Sequence, residues 1–193
     1  MTEIGIPSYS GLYLKLLGDA WNDLDGTVQR LHVSVPPVQA VGLFQVRRGT
    51  NWLARLLARL ARLPEAGEAV NVRLLVTAQG DGEEWQRTFA EQPLVTLQSE
   101  RPDGLLAERI GPIEMRFQLK VVDGALNYRA TRALLCLGPL LLPLPPWFSP
   151  RITAWERPVG EGGHIEVFVH VHLPLLGRLV SYSGRLTRVE EMG

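Results

Sequence analysis

Three groups of residues in this 193-residue sequence have types and spacing suited to chemistry. The first is Trp85, Arg87 and Phe89, at alternate positions of "EWQRTF". Side chains alternate along a strand, so the three share one face. A guanidinium between two aromatic rings stacks on them or makes a cation–π contact. If that face points inward, the charge needs a carboxylate partner, and Glu108 and Glu156 are the candidates. Two readings stand: an internal Arg–Glu pair that fixes strand register, and an anchor for the polar end of an apolar ligand.

The second group is Glu108 and Arg109, just before Gly111-Pro112. Neighbours on a strand face opposite ways, so the two do not enter one pocket together. Glu108, like Glu156, is a candidate general acid or base only where the fold desolvates it. The third group is His164, Glu166, His170 and His172, with Phe168 among them. His-x-His beside a carboxylate suits a metal ion. The alternate residues Ile165, Val167, Val169 and Val171 claim the core face, however. The expectation is a solvated histidine face and no metal.

Other signals for chemistry are weak. Cys136 is the only cysteine, so there is no intrachain disulfide, and its leucine-rich surroundings suit an inert thiol. There is no G-x-S-x-G and no G-x-G-x-x-G after a strand. Gly160 to Gly163 joins two strands, which makes it a hairpin loop and not a phosphate cradle. No cofactor is expected.

The elements that must position these residues are mostly strands. Apolar residues near a 3.6 period predict a helix over Gly11 to Leu24. Val28 to Val35 reads as a strand closed by Pro36-Pro37. Gly42 to Arg48 reads as another. Asn51 to Leu63 is the clearest helix, stopped by Pro64. Its Leu53, Leu56, Leu57 and Leu60 form an apolar face expected to pack on a sheet, with Arg55, Arg59 and Arg62 opposite. A basic amphipathic helix touching a membrane surface is the alternative.

From Val70 the period changes to two. Strands follow at Val70 onward, Glu84 to Phe89, Leu94 to Glu100, Leu105 to Ile110, Ile113 to Val122 and Ala125 to Leu134. Asp-Gly turns at 81–82, 103–104 and 123–124 separate several of them. Ile152 to Arg157, His164 to Leu173 and Gly177 to Val189 complete about ten strands. The fold class is mainly β (α+β): a large curved antiparallel sheet forming a barrel or half-barrel, with two helices of the N-terminal half packed on or in it. The chain reads as a single domain over 1–193.

Residues 133–150, "ALLCLGPLLLPLPPWFSP", carry no charge. Five prolines rule out a transmembrane helix. The stretch falls where it would cross the open end of a barrel, as a core plug, a lid or a dimer contact. Overall, 46% of residues are apolar and 21% charged, with 20 basic and 20 acidic side chains. Zero net charge argues against broad electrostatic binding to nucleic acid or to an anionic membrane. The absence of a basic and apolar leader in "MTEIGIPSYS" and the lone cysteine fit a cytoplasmic protein.

The order of local patterns resembles the bacterial domain-of-unknown-function family DUF4166. The matching pieces are "LLGDAWNDLDGTVQRLH", "VRRG", "EWQRTF", "LLAERIGPIEMRFQL", "PLPPWFSPRITAWE" and "LPLLGRLVSYSGRL". The resemblance implies no catalytic set. It implies a domain occurring alone or joined to a dehydrogenase-like domain, so a separate dehydrogenase-like protein is one candidate partner; zero net charge and the apolar stretch 133–150 make a homodimer the other. Its matching polar positions are Arg48, Trp85, Arg87, Glu108, Arg109, Glu156 and Tyr182.

Together these readings favour a module that binds a small apolar or amphipathic molecule. Arg87, Trp85, Phe89, Tyr182, Trp147 and Arg48 are its candidate ligand-binding residues. The alternatives are a cyclase- or isomerase-type enzyme using Glu108 or Glu156, and a purely structural or interaction domain.

Overall fold

The computed structural model describes residues 11–33, 37–160 and 162–189. The chain begins with α1 (Leu12–Leu17), a 3₁₀ helix (Gly18–Asp23) and α2 (Gly26–Leu31). After β1 (Val38–Arg48) comes α3 (Trp52–Leu60). The rest is strand: β2 (Gly67–Gln79), β3 (Gly82–Phe89), β4 (Gln92–Glu100), β5 (Leu106–Ile110), β6 (Ile113–Val122) and β7 (Ala125–Leu137). They are followed by β8 (Leu140–Pro143), β9 (Arg151–Val159), β10 (His164–Leu173) and β11 (Gly177–Val189).

Ten of the strands close into an antiparallel meander barrel. Each pairs with its neighbour in sequence, and β1 pairs with β11 from Gln39↔Val189 to Arg48↔Val180 to complete the ring. Strand β8 stands outside it. The first part of β7 pairs with β9, and its last residues pair with β8 as a projecting hairpin. The period-two pattern explains the closure. On β1, Val38, Ala40, Phe44 and Val46 are buried while Gln39, Val41, Leu43 and Arg47 are exposed. Strands β1 and β11 approach closely at Gly42 and Gly184, which face Leu186 and Phe44. A β-carbon on Gly184 would lie 2.2 Å from the Leu43 carbonyl oxygen and 2.6 Å from the Phe44 ring. Only glycine lets the strands approach there.

The N-terminal helices cap one end of the barrel. The Asp25 amide donates to the carbonyl of Gly124 in the β6–β7 turn. Tyr13 of α1 and His32 after α2 are fully buried. The stretch from Val28, expected as a strand, is the helix α2 instead; its residues 34 and 35 lie outside the described residues. The Asp25 side chain caps α2 by accepting from the Thr27 amide at 2.7 Å. That local hydrogen bond outweighs the β preference of Thr27 and Val28.

The other end is crossed by α3. Its N-cap Asn51 accepts from the Leu53 amide at 2.9 Å. After the helix, Arg62 takes a left-handed φ of 52° and the Leu63 amide returns to the Ala58 carbonyl at 2.8 Å. Gln92, the first residue of β4, donates to the carbonyls of Arg62 and Leu63. The helix reverses the expectation for its leucines. It seats on the barrel through Ala54 and Ala58, both fully buried, and leaves Leu53, Leu56, Leu57 and Leu60 exposed. Small alanines allow a close approach to β11, and the leucine arc falls to one flank. Residues 133–150 do not plug the core. Ala133, Leu134 and Cys136 are buried in β7, whereas Leu137, Leu140, Leu141, Leu142, Trp147 and Phe148 are exposed. Among the described residues, no helix is long and apolar enough to cross a membrane.

Candidate functional site: a polar cluster inside the barrel

Strand β3 turns Glu83, Trp85, Arg87 and Phe89 to the interior. The Trp85 indole is 2% exposed and donates to Glu83 Oε2 at 2.9 Å. The Arg87 guanidinium lies 4.9 Å from the Trp85 ring centroid. It donates to Thr96 Oγ1 at 3.0 Å and to Glu108 Oε1 at 3.3 Å. Burial works to lower the Arg87 pKa, but the Glu108 carboxylate and the nearby Tyr182 and Tyr13 phenols outweigh it, so the net shift is upward. Arg87 therefore stays cationic inside the barrel. Arg109 points away and its Nε donates to the Gly111 carbonyl at 3.0 Å.

A second polar chain runs from β9 to the capping helices. Glu156 Oε2 lies 2.6 Å from His32 Nε2, and Glu156 Oε1 accepts from the Tyr128 hydroxyl at 3.2 Å. The Tyr128 hydroxyl is also 3.3 Å from that of Tyr13, which donates to Gln98 Oε1 at 2.8 Å. The His32 ring sits 3.8 Å from the Tyr13 ring, centroid to centroid. His32 Nδ1 is buried and has no hydrogen-bond partner among the described residues. The phenols of Tyr13 and Tyr128 are pushed well above their usual range, by burial first and then by the Glu156 charge. Burial raises Tyr182 to about 12, against the opposing pull of Arg87.

Two interior voids meet on this cluster. One of about 40 Å³ lies against Trp85, Arg87, Phe89, Glu156 and Tyr182. The other, about 80 Å³, reaches from Arg87, Tyr128 and Glu156 towards Leu63, Leu94 and Val180 at the α3 end. Both are lined by Arg87, Glu156, Val169 and Tyr182. Sites that enclose drug-sized ligands run to roughly 300–1,000 Å³, so these voids suit a molecule of a few heavy atoms. A wider hollow of about 1170 Å³ lies outside the barrel over Gly42, Leu43, Arg73, Gly184 and Arg185. It is an open trough on the outer wall and excludes little water from anything resting in it.

The structure thus brings Trp85, Arg87, Phe89, Tyr182, Glu108 and Glu156 into one interior. The Phe89 and Tyr182 rings are 5.2 Å apart. Arg48 and Trp147 lie elsewhere. Arg48 is at the α3 end, where its Nε donates to the Pro64 carbonyl at 2.8 Å, its Nη2 donates to the Leu63 carbonyl, and its Nη1 is 3.1 Å from Glu65. Trp147 is 55% exposed beyond β8. The β10 histidines line the outer wall, where Phe168 stacks on Trp155 at 5.5 Å. Among the described residues, no three His, Cys, Asp or Glu side chains gather as a metal site would require.

Sequence reasoning missed Tyr13, His32, Gln98 and Tyr128. For Tyr128 the signal was present, since it alternates with the buried Leu126. His32 and Tyr13 carried none, because their partners Glu156 and Gln98 are 124 and 85 residues away.

Residues 24–186 match the family model described as domain of unknown function (DUF4166). No curated protein and no solved structure matches the chain.

Proposed function

The chain belongs to the DUF4166 family, and from its barrel interior we propose that it binds one small amphipathic molecule. The observation that carries this reading is the convergence of Arg87, Tyr182 and Glu156 on both voids. The polar end of the ligand rests on these groups, and its apolar part lies along Leu63, Leu94 and Val180. Charge narrows the class. Near the voids the single guanidinium of Arg87 faces two carboxylates, Glu108 and Glu156, so a further anion is disfavoured. Neutral phenols at Tyr128 and Tyr182 suit a hydroxyl or carbonyl group.

The test is mass spectrometry under non-denaturing conditions on the full chain, purified without detergent. The expected result is a retained small neutral molecule that Val169→Phe, which fills the junction of the voids, no longer holds. Bare wild-type protein, with no thermal stabilisation by short alcohols, ketones or amides, would overturn the reading.

A second reading is favoured by the 2.6 Å contact of His32 with Glu156. In it Glu156, braced by His32, takes a proton from a bound substrate. Incubating the retained molecule with the protein in heavy water distinguishes the two. Carbon-bound deuterium that Glu156→Gln fails to introduce supports proton transfer; a molecule that stays unlabelled supports binding alone.

A further inference from the structure

We infer that the α3 end of the barrel docks onto an anionic lipid surface. The inference stands independently of whether the interior holds a ligand. Three segments project from this end: 50–63 with α3, 133–151 with the β7–β8 hairpin and the turn after it, and 173–178 between β10 and β11. They expose large apolar side chains. Trp52 is 65% exposed, Leu60 71%, Phe148 59% and Leu175 68%, and Trp147 stands beside Phe148. The same segments carry Arg55, Arg59, Arg62, Arg151 and Arg178 and not one Asp or Glu. Acids at this end, Glu65, Glu68 and Glu91, belong to the β2–β4 side, and Glu65 is paired with Arg48. The opposite end is mixed: Asp19, Asp23, Asp25, Asp81 and Asp123 stand in its helices and turns beside Lys15, Arg30 and Arg101, and Asp103 is paired with Arg116 and Arg132. Within a chain of zero net charge, these three segments thus gather a local positive charge at the α3 end.

Three features favour lipid over a protein partner. The apolar groups stand on a helix, a hairpin and a turn, not on one continuous face, and such separate projections enter a deformable surface more readily than they match a rigid one. Tryptophan at the rim and arginine flanking a leucine arc are the groups that settle at the headgroup boundary. The basic, acid-free segments complement an anionic leaflet, which draws each nearby arginine. Helix α3 already presents its leucines outward because it seats on the barrel through Ala54 and Ala58.

The experiment is sedimentation of the full chain with large vesicles, either pure phosphatidylcholine or phosphatidylcholine with phosphatidylglycerol. We expect at least about tenfold tighter binding to the anionic vesicles, weakened by salt. Leu56→Glu with Leu60→Glu should abolish binding, and Arg55→Glu with Arg59→Glu should reduce it by about tenfold or more. All four positions are exposed, and unchanged circular dichroism and thermal unfolding confirm that the variants fold. The Trp52 and Trp147 contributions to fluorescence, separated by Trp→Phe variants, should be quenched by brominated lipid. Failure of the wild type to bind anionic vesicles would overturn the inference. So would binding that survives the leucine substitutions. A self-association that those substitutions dissolve, without vesicle binding, would assign the face to a second copy and equally overturn it.

Discussion

Replacing Arg87 by leucine isolates the electrostatics of the barrel interior. The guanidinium and its partner Glu108 are 17% and 18% exposed at the side chain, so both are mostly desolvated. Arg87→Leu leaves Glu108 without its cation and Thr96 without its donor. Removing one member of a buried pair costs roughly 3–5 kcal/mol. The residual exposure places this pair at the low end, about 3 kcal/mol, which lowers the melting temperature by about 6–12 °C in a chain of this size. Replacing both residues by leucine removes the stranded charge, so Arg87→Leu/Glu108→Leu should return to within about 1 kcal/mol of wild type. The coupling is therefore about 2 kcal/mol or more and of the sign that makes the double variant the more stable. Urea unfolding of the four proteins measures it, with equal slopes showing that the unfolded states are comparable. A double variant as unstable as Arg87→Leu alone would refute the argument. It would mean that the guanidinium's worth lies in the Trp85 stack and the Thr96 bond, not in holding a carboxylate.

Alkaline pH probes the phenols. Tyr182 has a folded pKa of about 12 against an ordinary 10.0, so the folded state keeps a proton that the unfolded state releases. Its contribution is intact below pH 10 and is lost as pH rises towards 12, up to about 2–3 kcal/mol. Tyr182→Phe should flatten that part of the stability profile, and an unchanged slope in urea unfolding across this window would contradict it. The close approach at Gly184 gives a steric prediction. Gly184→Ala places a methyl 2.2 Å from a backbone oxygen and 2.6 Å from the Phe44 ring, so it should cost about 3 kcal/mol or more. Gly80→Ala has only its positive φ of 58° to resist it, with nothing within 4 Å, and should cost about 1 kcal/mol. Thermal unfolding of the two variants side by side checks the order.

What the sequence showed best is what a period of two can show. The boundaries of β6, β10 and β11 follow from alternation and the turns that interrupt it, and alternation puts Trp85, Arg87 and Phe89 on one face of β3. The partner of Arg87 was narrowed to two carboxylates by charge, and Glu108 lies beside it. Three things escaped, each for a physical reason. The closing pair β1–β11 joins residues up to 150 apart, as at Gln39 and Val189, and no local pattern encodes it. The stretch from Val28 looked extended, with Val28, Val33 and Val35 along it, yet one side-chain cap at Asp25 is enough to start the helix there. The leucines of α3 looked like a core face because apolar periodicity reports amphipathicity and not which arc is covered. Here two alanines make the contact, and the larger side chains are left outside.

The two ends of the barrel divide the work that the interior requires. At one end, α1 and α2 deliver Tyr13 and His32 into the polar cluster and are tied to the β6–β7 turn by the Asp25–Gly124 bond. A molecule entering there would have to displace fully buried side chains that belong to the site itself. At the other end, the larger void stops beneath Leu63, which is 7% exposed and is fixed by backbone carbonyl contacts to Arg48 and Gln92. Breaking a few side-chain bonds at Leu63 costs far less than unseating two helices. Of the two ends, the α3 end therefore offers the less costly opening to the interior. That is also the end whose acid-free segments 50–63, 133–151 and 173–178 expose their apolar side chains, so a ligand drawn from lipid would meet the cover of the void and the proposed docking surface at the same place.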